Sequence, residues 1–128
     1  MIDAATREFV ADRANHRCEY CLLSRADYCW SFHVEHIVPR QHGGSDSLGN
    51  LAYACPRCNR YKGPNLTAID PHTGRIEELF HPRINTWEDH FQIARGTIIG
   101  ISGSGRATVR LLQMNDENRC ELRRELLG

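Results

Sequence analysis

Two pairs of cysteines carry the strongest chemical signal in this chain. Cys18 and Cys21 form one pair, Cys55 and Cys58 form the other, and two residues separate the members of each pair. A tight turn of this length lets both thiolates reach one ion at about 2.3 Å, and two such pairs complete the tetrahedral ligand set of structural zinc. A redox-active dithiol would need only one pair and would leave the other unexplained. We therefore predict one structural Zn²⁺ bound by all four cysteines.

The residues between the two pairs and directly after the second pair include side chains suited to the hydrolysis of a phosphodiester. Glu35 and Asn59 offer hard oxygen ligands, which suit Mg²⁺ or Mn²⁺, although His33 nearby would favour a softer transition metal. His36 can take a proton from water near neutral pH, because the unperturbed pKa of an imidazole is about 6.5. A divalent ion and a general base together activate a water and neutralise the charge on the phosphate.

Basic side chains flank these residues, although the whole chain has 16 Lys and Arg against 16 Asp and Glu. Zero net charge excludes an overall field that draws the protein to nucleic acid, so any such affinity must be local. Between residues 36 and 64 only Asp46 opposes a group of basic residues, namely Arg40, Arg57, Arg60 and Lys62. These cations could bind a sugar-phosphate backbone. The basic residues that flank the cysteines could instead offset the charge of about −2 on zinc with four thiolates, namely Arg17, Arg57, Arg60 and Lys62. The sequence leaves both roles open.

The linked arrangement of these residues resembles the HNH endonuclease family. The resemblance covers residues 18–63 and is carried by Glu35-His36-Ile37-Val38-Pro39, Gly43-Gly44, Asn50-Leu51 and the run from Cys55 to Gly63. Several linked features make a chance match improbable. The resemblance implies a ββα-metal core and a metal-dependent endonuclease that acts on nucleic acid, with double-stranded DNA as the expected substrate.

The resemblance also implies a role for single residues. His36 stands at the position of the general base, and Glu35 stands at that of an acidic metal ligand, which is usually Asp. Asn50 matches the asparagine that orients the motif, and Asn59 matches the last position, which supplies another metal ligand. Lys62 matches a basic residue near the substrate phosphate. The candidate catalytic residues are therefore His36, Glu35, Asn50 and Asn59, with Glu35 and Asn59 as ligands of the catalytic ion.

An alternative function uses the same zinc site without catalysis. A zinc-bound module of this size could hold nucleic acid or another protein and cut nothing. The pair Glu35 and His36 discriminates between the two hypotheses, because only an enzyme needs a base beside a metal ligand.

The elements that hold these residues follow from periodicity and from turn residues. The predicted elements are a helix over 2–15, a strand over 30–38, a strand over 51–54 and a helix over 56–62. Asp3 is a plausible N-cap for the first helix, Pro39 ends the first strand, and Gly63 ends the second helix. Because neighbours on a regular strand point to opposite faces, Glu35 and His36 can serve one site only if the strand bends or ends there.

The signals after Pro64 are weaker. The predicted elements there are a turn over 70–74, a strand over 75–80, a helix or strand over 87–93, a strand over 97–101 and helices over 106–114 and 117–127. The expected fold is an α+β domain over 1–128. It has a ββα-metal core over 18–63 held by the four-cysteine zinc, an N-terminal helix, and a C-terminal α/β extension over 64–128.

The remaining cysteines and the N-terminal sequence bear on the compartment. Cys29 and Cys120 lack a partner at ligand spacing, so each is predicted to be a small buried hydrophobic residue. The chain starts without a basic and then apolar signal segment, and no apolar run approaches the roughly 18 residues of a membrane span. We therefore expect a cytoplasmic protein with reduced thiols.

Overall fold

The first helix begins at the residue that the sequence marks as its cap. The computed structural model describes residues 2–127, and its first helix, α1, spans Ala4–Arg13. The Asp3 carboxylate accepts a hydrogen bond from the Thr6 backbone N–H at 2.7 Å, which satisfies one of the free donors of the first turn. Val10 is fully buried, so α1 covers the core as predicted.

Two strands and a helix form the ββα unit that the sequence predicts. Strand β1 (His33–His36) pairs antiparallel with β2 (Leu51–Ala54), and helix α2 (Pro56–Lys62) follows at once. Strand β1 is shorter than the predicted 30–38, because its ladder extends only over the four residues of β2. Helix α2 has the predicted bounds, and it ends where Gly63 adopts a φ of 50°.

The chain after α2 adds two hairpins and two helices. They are β3 (Thr67–Ile69), β4 (Ile76–Glu78), β5 (Phe91–Ala94), β6 (Thr97–Gly100), α3 (Gly103–Leu111) and α4 (Glu117–Leu127). β3 pairs with β4 and β5 with β6, both antiparallel. The predicted turn over 70–74 and helix over 117–127 are confirmed, whereas β3 was not predicted. Helix α3 begins earlier than predicted because the Ser102 hydroxyl caps it, accepting from the Gly105 N–H at 2.9 Å.

One apolar cluster connects the N-terminal segment to the C-terminal extension. Val10 and Leu51 pack in it together with Phe91, Ile98 and Leu112, and burial of such side chains is the main favourable term in folding. The division into one domain over 1–128 stays a prediction, and its outermost residues, 1 and 128, lie outside the described residues. The α+β fold with a ββα core is confirmed. No helix within residues 2–127 is long and apolar enough to cross a bilayer.

Candidate active site and metal centre

The four predicted zinc ligands lie together in the core. The Sγ atoms of Cys18, Cys21, Cys55 and Cys58 all lie within 4.8 Å of one another, and all four residues are buried. The Cys21 and Cys55 sulfurs are 3.7 Å apart, which is close to the roughly 3.8 Å between sulfurs of a tetrahedron with 2.3 Å zinc–sulfur bonds. The donor set and its spacing therefore fit Zn²⁺. We call these four residues the thiol cluster.

A buried arginine from the C-terminal helix neutralises the thiol cluster. Arg119 lies on α4, and its Nη1 is 3.1 Å from the Cys58 sulfur and 3.7 Å from the Cys55 sulfur. Burial alone would lower the pKa of Arg119, but the nearby thiols and the hydrogen bond to Asp116 raise it above its ordinary value. Arg119 also donates to the Leu112 carbonyl at 3.0 Å. It therefore stays cationic and ties α4 to the cluster.

The same arginine affects the thiols in turn. Burial raises the pKa of Cys21, but hydrogen bonds with the other three thiols and the charge of Arg119 outweigh burial, so that the net pKa lies well below its ordinary value. A thiol must lose its proton to bind zinc. Arg119 therefore contributes to the thiolate form at Cys21, whereas burial raises the pKa of Cys18 and Cys58 well above its ordinary value.

Arg119 is a functional residue that sequence reasoning missed. The basic residues that the sequence suggests for offsetting the charge of the thiol cluster have other contacts. Arg57 pairs with Asp116 at 2.8 Å, and Arg60 stacks on the Tyr61 ring with its guanidinium 5.1 Å from the ring centre. No spacing relative to the cysteines marks Arg119, and only the fold brings it to them.

The two remaining cysteines behave differently from each other. Cys120 on α4 is buried, as predicted, whereas Cys29 is exposed, and the prediction of burial for Cys29 is wrong. Cys29 lies in the surface loop between residues 27 and 33 and faces no apolar cluster. It therefore serves as a natural control for the role of the other cysteines.

An open cleft beside β1 and α2 brings most of the candidate catalytic residues together. It has a volume of about 370 Å³, and His33, Glu35, His36 and Asn59 line it. We call it the β1–α2 cleft. Asn59 is half-buried there, on the first half of α2. One cleft thus contains a candidate base and oxygen and nitrogen ligands for a divalent ion.

His36 is held at this cleft by an acidic residue. Its Nε2 lies 2.6 Å from Oδ1 of Asp46, and the His36 side chain is 22% exposed. Arg40 donates to both oxygens of Asp46, at 2.8 and 2.9 Å. Hydrogen bonds from His36 and Arg40 lower the pKa of Asp46 to about 2. Asp46 therefore remains a carboxylate and orients the imidazole, a role that the sequence reading missed when it counted Asp46 only as a charge.

Glu35 lines the cleft, but buried side chains contact both of its carboxylate oxygens. Strand β1 ends at His36, which meets the condition that the strand bend or end there, and both Glu35 and His36 line the cleft. Glu35 is 7% exposed. It accepts a hydrogen bond from the Tyr20 hydroxyl, and its other oxygen is 3.6 Å from the Lys62 ammonium. Burial raises the pKa of Glu35, while Lys62 and Tyr20 oppose the rise. A metal ion at Glu35 would have to replace one of these contacts.

Lys62 does not lie where the resemblance implies. It is 2% exposed, and its ammonium donates to the Ile37 carbonyl at 2.8 Å. This position beneath the end of β1 argues against the expected contact with a substrate phosphate, which stays a prediction. Lys62 instead joins α2 to β1 and balances the charge of Glu35. Arg40 and Arg60 are exposed and remain able to reach a phosphate.

The Asn50 side chain bonds to the backbone of the loop that follows β1. Its side chain accepts from the Val38 N–H at 2.9 Å and donates to the Val38 carbonyl at 2.9 Å and the Ser45 carbonyl at 2.8 Å. These bonds use its amide group and hold the loop that carries Asp46. A Cβ at Gly44 would lie 1.6 Å from the Val38 carbonyl oxygen, so this loop also needs glycine there. These bonds agree with the orienting role that the resemblance implies for Asn50, and its place among the catalytic residues stays a prediction.

Comparison with known proteins agrees with the geometry of this segment. Residues 18–65 match the family described as HNH endonuclease. The Septu protein PtuB of Bacillus thuringiensis is 26% identical over 119 residues, which cover 91% of this chain and 44% of that protein. The chain therefore spans less than half the length of this curated relative. No solved structure matches the chain. The resemblance of this segment to HNH endonucleases is confirmed.

Proposed function

We propose, with the HNH segment at residues 18–65 as the premise, that this protein is a metal-dependent endonuclease that hydrolyses phosphodiester bonds in double-stranded DNA. The HNH segment suggests a nuclease-type function in general. The observation that carries the finer proposal is the β1–α2 cleft, in which an oriented histidine, His36, shares one open space with Asn59 and Glu35. A cleft of this kind can hold a phosphate, a divalent ion and an attacking water.

His36 acts as the general base in this proposal. Asp46 bonds to Nε2, so the second ring nitrogen, Nδ1, is the one that takes the proton of the attacking water. A carboxylate on one imidazole nitrogen fixes the ring orientation and stabilises the cation that forms when the other nitrogen is protonated. Arg40, which shares Asp46 with His36, lies at the rim of the cleft and can contact a phosphate.

Asn59 and Glu35 would hold the catalytic divalent ion, Mg²⁺ or Mn²⁺, and His33 at the rim would add affinity for a transition metal. When bound there, such an ion neutralises the scissile phosphate and stabilises the departing 3′ oxygen. The thiol cluster would hold a separate Zn²⁺, whose role would be structural. The two sites share α2, because Cys58 and Asn59 are neighbours on that helix.

One observation favours the alternative, a module that binds without cutting. Both oxygens of Glu35 are engaged by Tyr20 and Lys62, and an acid held in this way need not bind a metal. The alternative predicts binding of nucleic acid or protein with no cleavage under any divalent ion.

A plasmid-nicking assay tests the proposal. The purified chain is incubated with supercoiled plasmid and Mg²⁺, Mn²⁺ or Ni²⁺, beside His36→Ala and the control His42→Ala. His42 is exposed on the nearby loop and does not line the cleft. We expect ion-dependent nicking by the wild type and by His42→Ala, and a loss of about 10²–10⁴ fold in His36→Ala. Equal nicking by both variants would remove His36 from the mechanism, and no nicking under any ion would favour the binding module.

A further inference from the structure

A second hollow adjoins the β1–α2 cleft. It has a volume of about 500 Å³ and is lined by Tyr28, Trp30, Arg57 and Arg60. We call it the Trp30 hollow. His33 and Asn59 line both spaces, so the two are continuous at the residues that face the proposed catalytic ion. A strand whose phosphate lies in the cleft would extend into this hollow.

Trp30 presents an open aromatic face in this hollow. Its side chain is 67% exposed. The other tryptophan, Trp87, is half-buried and donates its indole N–H to the Tyr20 carbonyl at 2.9 Å. Trp30 thus contributes its large ring to the surface and not to the core, at a position beside the candidate active site. A flat exposed ring is a platform on which an unpaired base can stack.

The charges around this ring complement a nucleic-acid strand. Arg60 is exposed, with its guanidinium over the Tyr61 ring. Arg57 is held by Asp116 at 2.8 Å and by Tyr28, so its guanidinium keeps a constant place while Asp116 offsets part of its charge. The lining residues within the described part of the chain include no Asp or Glu. Arginine beside a stacking platform is the combination that binds single strands through base and phosphate together.

We propose that the Trp30 hollow binds an unpaired nucleotide next to the scissile phosphate, so that the preferred substrate is DNA with a single-stranded stretch at the cleavage site. A base inside a duplex has both faces covered by its neighbours and cannot stack on Trp30. This inference rests on the proposed function, because it places the unpaired nucleotide relative to the cut.

Binding without cleavage tests the proposal first. Fluorescence anisotropy with no added Mg²⁺ or Mn²⁺ compares a blunt DNA duplex with the same duplex carrying a 12-nucleotide single-stranded arm. We expect the armed duplex to bind about tenfold more tightly to the wild type, and Trp30→Ala to lose most of that difference. Trp30→Phe, which keeps an aromatic face, should retain most of it. Ile84→Ala is the matched control, because Ile84 is 77% exposed and lies away from this hollow. Zinc content verifies that each variant is folded.

Cleavage of the same two DNA substrates then tests the role of the Trp30 hollow separately from the proposed endonuclease activity. Wild-type protein that cuts both duplexes equally, with Trp30→Ala binding the armed duplex as tightly as Ile84→Ala, would overturn the role of Trp30 and leave the endonuclease standing. Binding of the arm that depends on Trp30, with no cutting under any ion, would support the hollow and overturn the endonuclease. Preference for the armed duplex in both assays, lost in Trp30→Ala, supports both.

Discussion

The thiol cluster and the β1–α2 cleft belong to the same short segment, but they are completed in different ways. The thiol cluster is buried, and its cation, Arg119, is 61 residues from Cys58 along the chain. The cleft is open, and the carboxylate that holds His36 comes from Asp46, ten residues away. A charge that is buried away from water needs a buried partner of opposite charge. In the thiol cluster that partner comes from α4, a helix distant in the chain. An exposed group can be oriented by its own loop.

The largest effect is expected in the thiol cluster. Cys58→Ser should lose the zinc and destabilise the fold by several kcal/mol, because metal binding here contributes directly to folding. Metal analysis and urea unfolding check this, with Cys29→Ser as the control, since Cys29 is exposed and outside the cluster. Full zinc content and normal stability in Cys58→Ser would contradict the assignment of these ligands.

Arg119→Ala tests the distant partner of the cluster. The change leaves the thiolates without their buried cation and should lower the free energy of unfolding by about 3–5 kcal/mol. Arg124→Ala is the matched control, because Arg124 lies on the same helix and is exposed. If the two variants unfold at the same urea concentration, the extension does not support the metal site.

The same contrast shows which parts of the structure can be predicted from sequence. The four cysteines, His36 and the bounds of α2 depend on neighbours in the chain, so spacing and turn residues identify them. Arg119 and the burial of Lys62 depend on packing between segments far apart, and no local pattern encodes that packing.

β3 was missed for a related reason. Thr67–Ile69 is only three residues long, too short for an alternating pattern to stand out, and it is a strand because β4 pairs with it. The ambiguity over 87–93 has the same origin, since β5 forms there on β6. Short strands take their structure from their partners.

Variants of Lys62 and Arg60 distinguish a basic residue that stabilises the fold from one that contacts the substrate. Lys62→Met should lower the free energy of unfolding by about 1–3 kcal/mol, because the Ile37 carbonyl loses its donor and Glu35 its cation. Arg60→Met should change stability by less than about 0.5 kcal/mol but reduce the salt dependence of DNA binding by about one phosphate contact. Binding at several salt concentrations and urea unfolding separate the two. If Lys62→Met kept its stability and lost one phosphate contact while Arg60→Met was destabilised, Lys62 would be the residue that contacts the phosphate.

The smallest effect concerns Asp46 and pH. Its folded pKa of about 2 lies below the ordinary 3.8, so its carboxylate stabilises the fold fully above about pH 4, and this contribution is lost as the pH falls toward 2. The difference in unfolding midpoint between wild type and Asp46→Asn should therefore hold at pH 5 and narrow at pH 3. A difference that grows on acidification would mean that Asp46 is not held as a carboxylate by His36 and Arg40.

The central claim is that the cleft performs the chemistry while the thiol cluster maintains the fold. The most direct test measures plasmid nicking and urea unfolding on one preparation of His36→Ala. We expect nicking to fall by at least about a hundredfold while the zinc content and the unfolding midpoint stay unchanged. Nicking at the wild-type rate, or a loss of nicking matched by loss of zinc and stability, would contradict it.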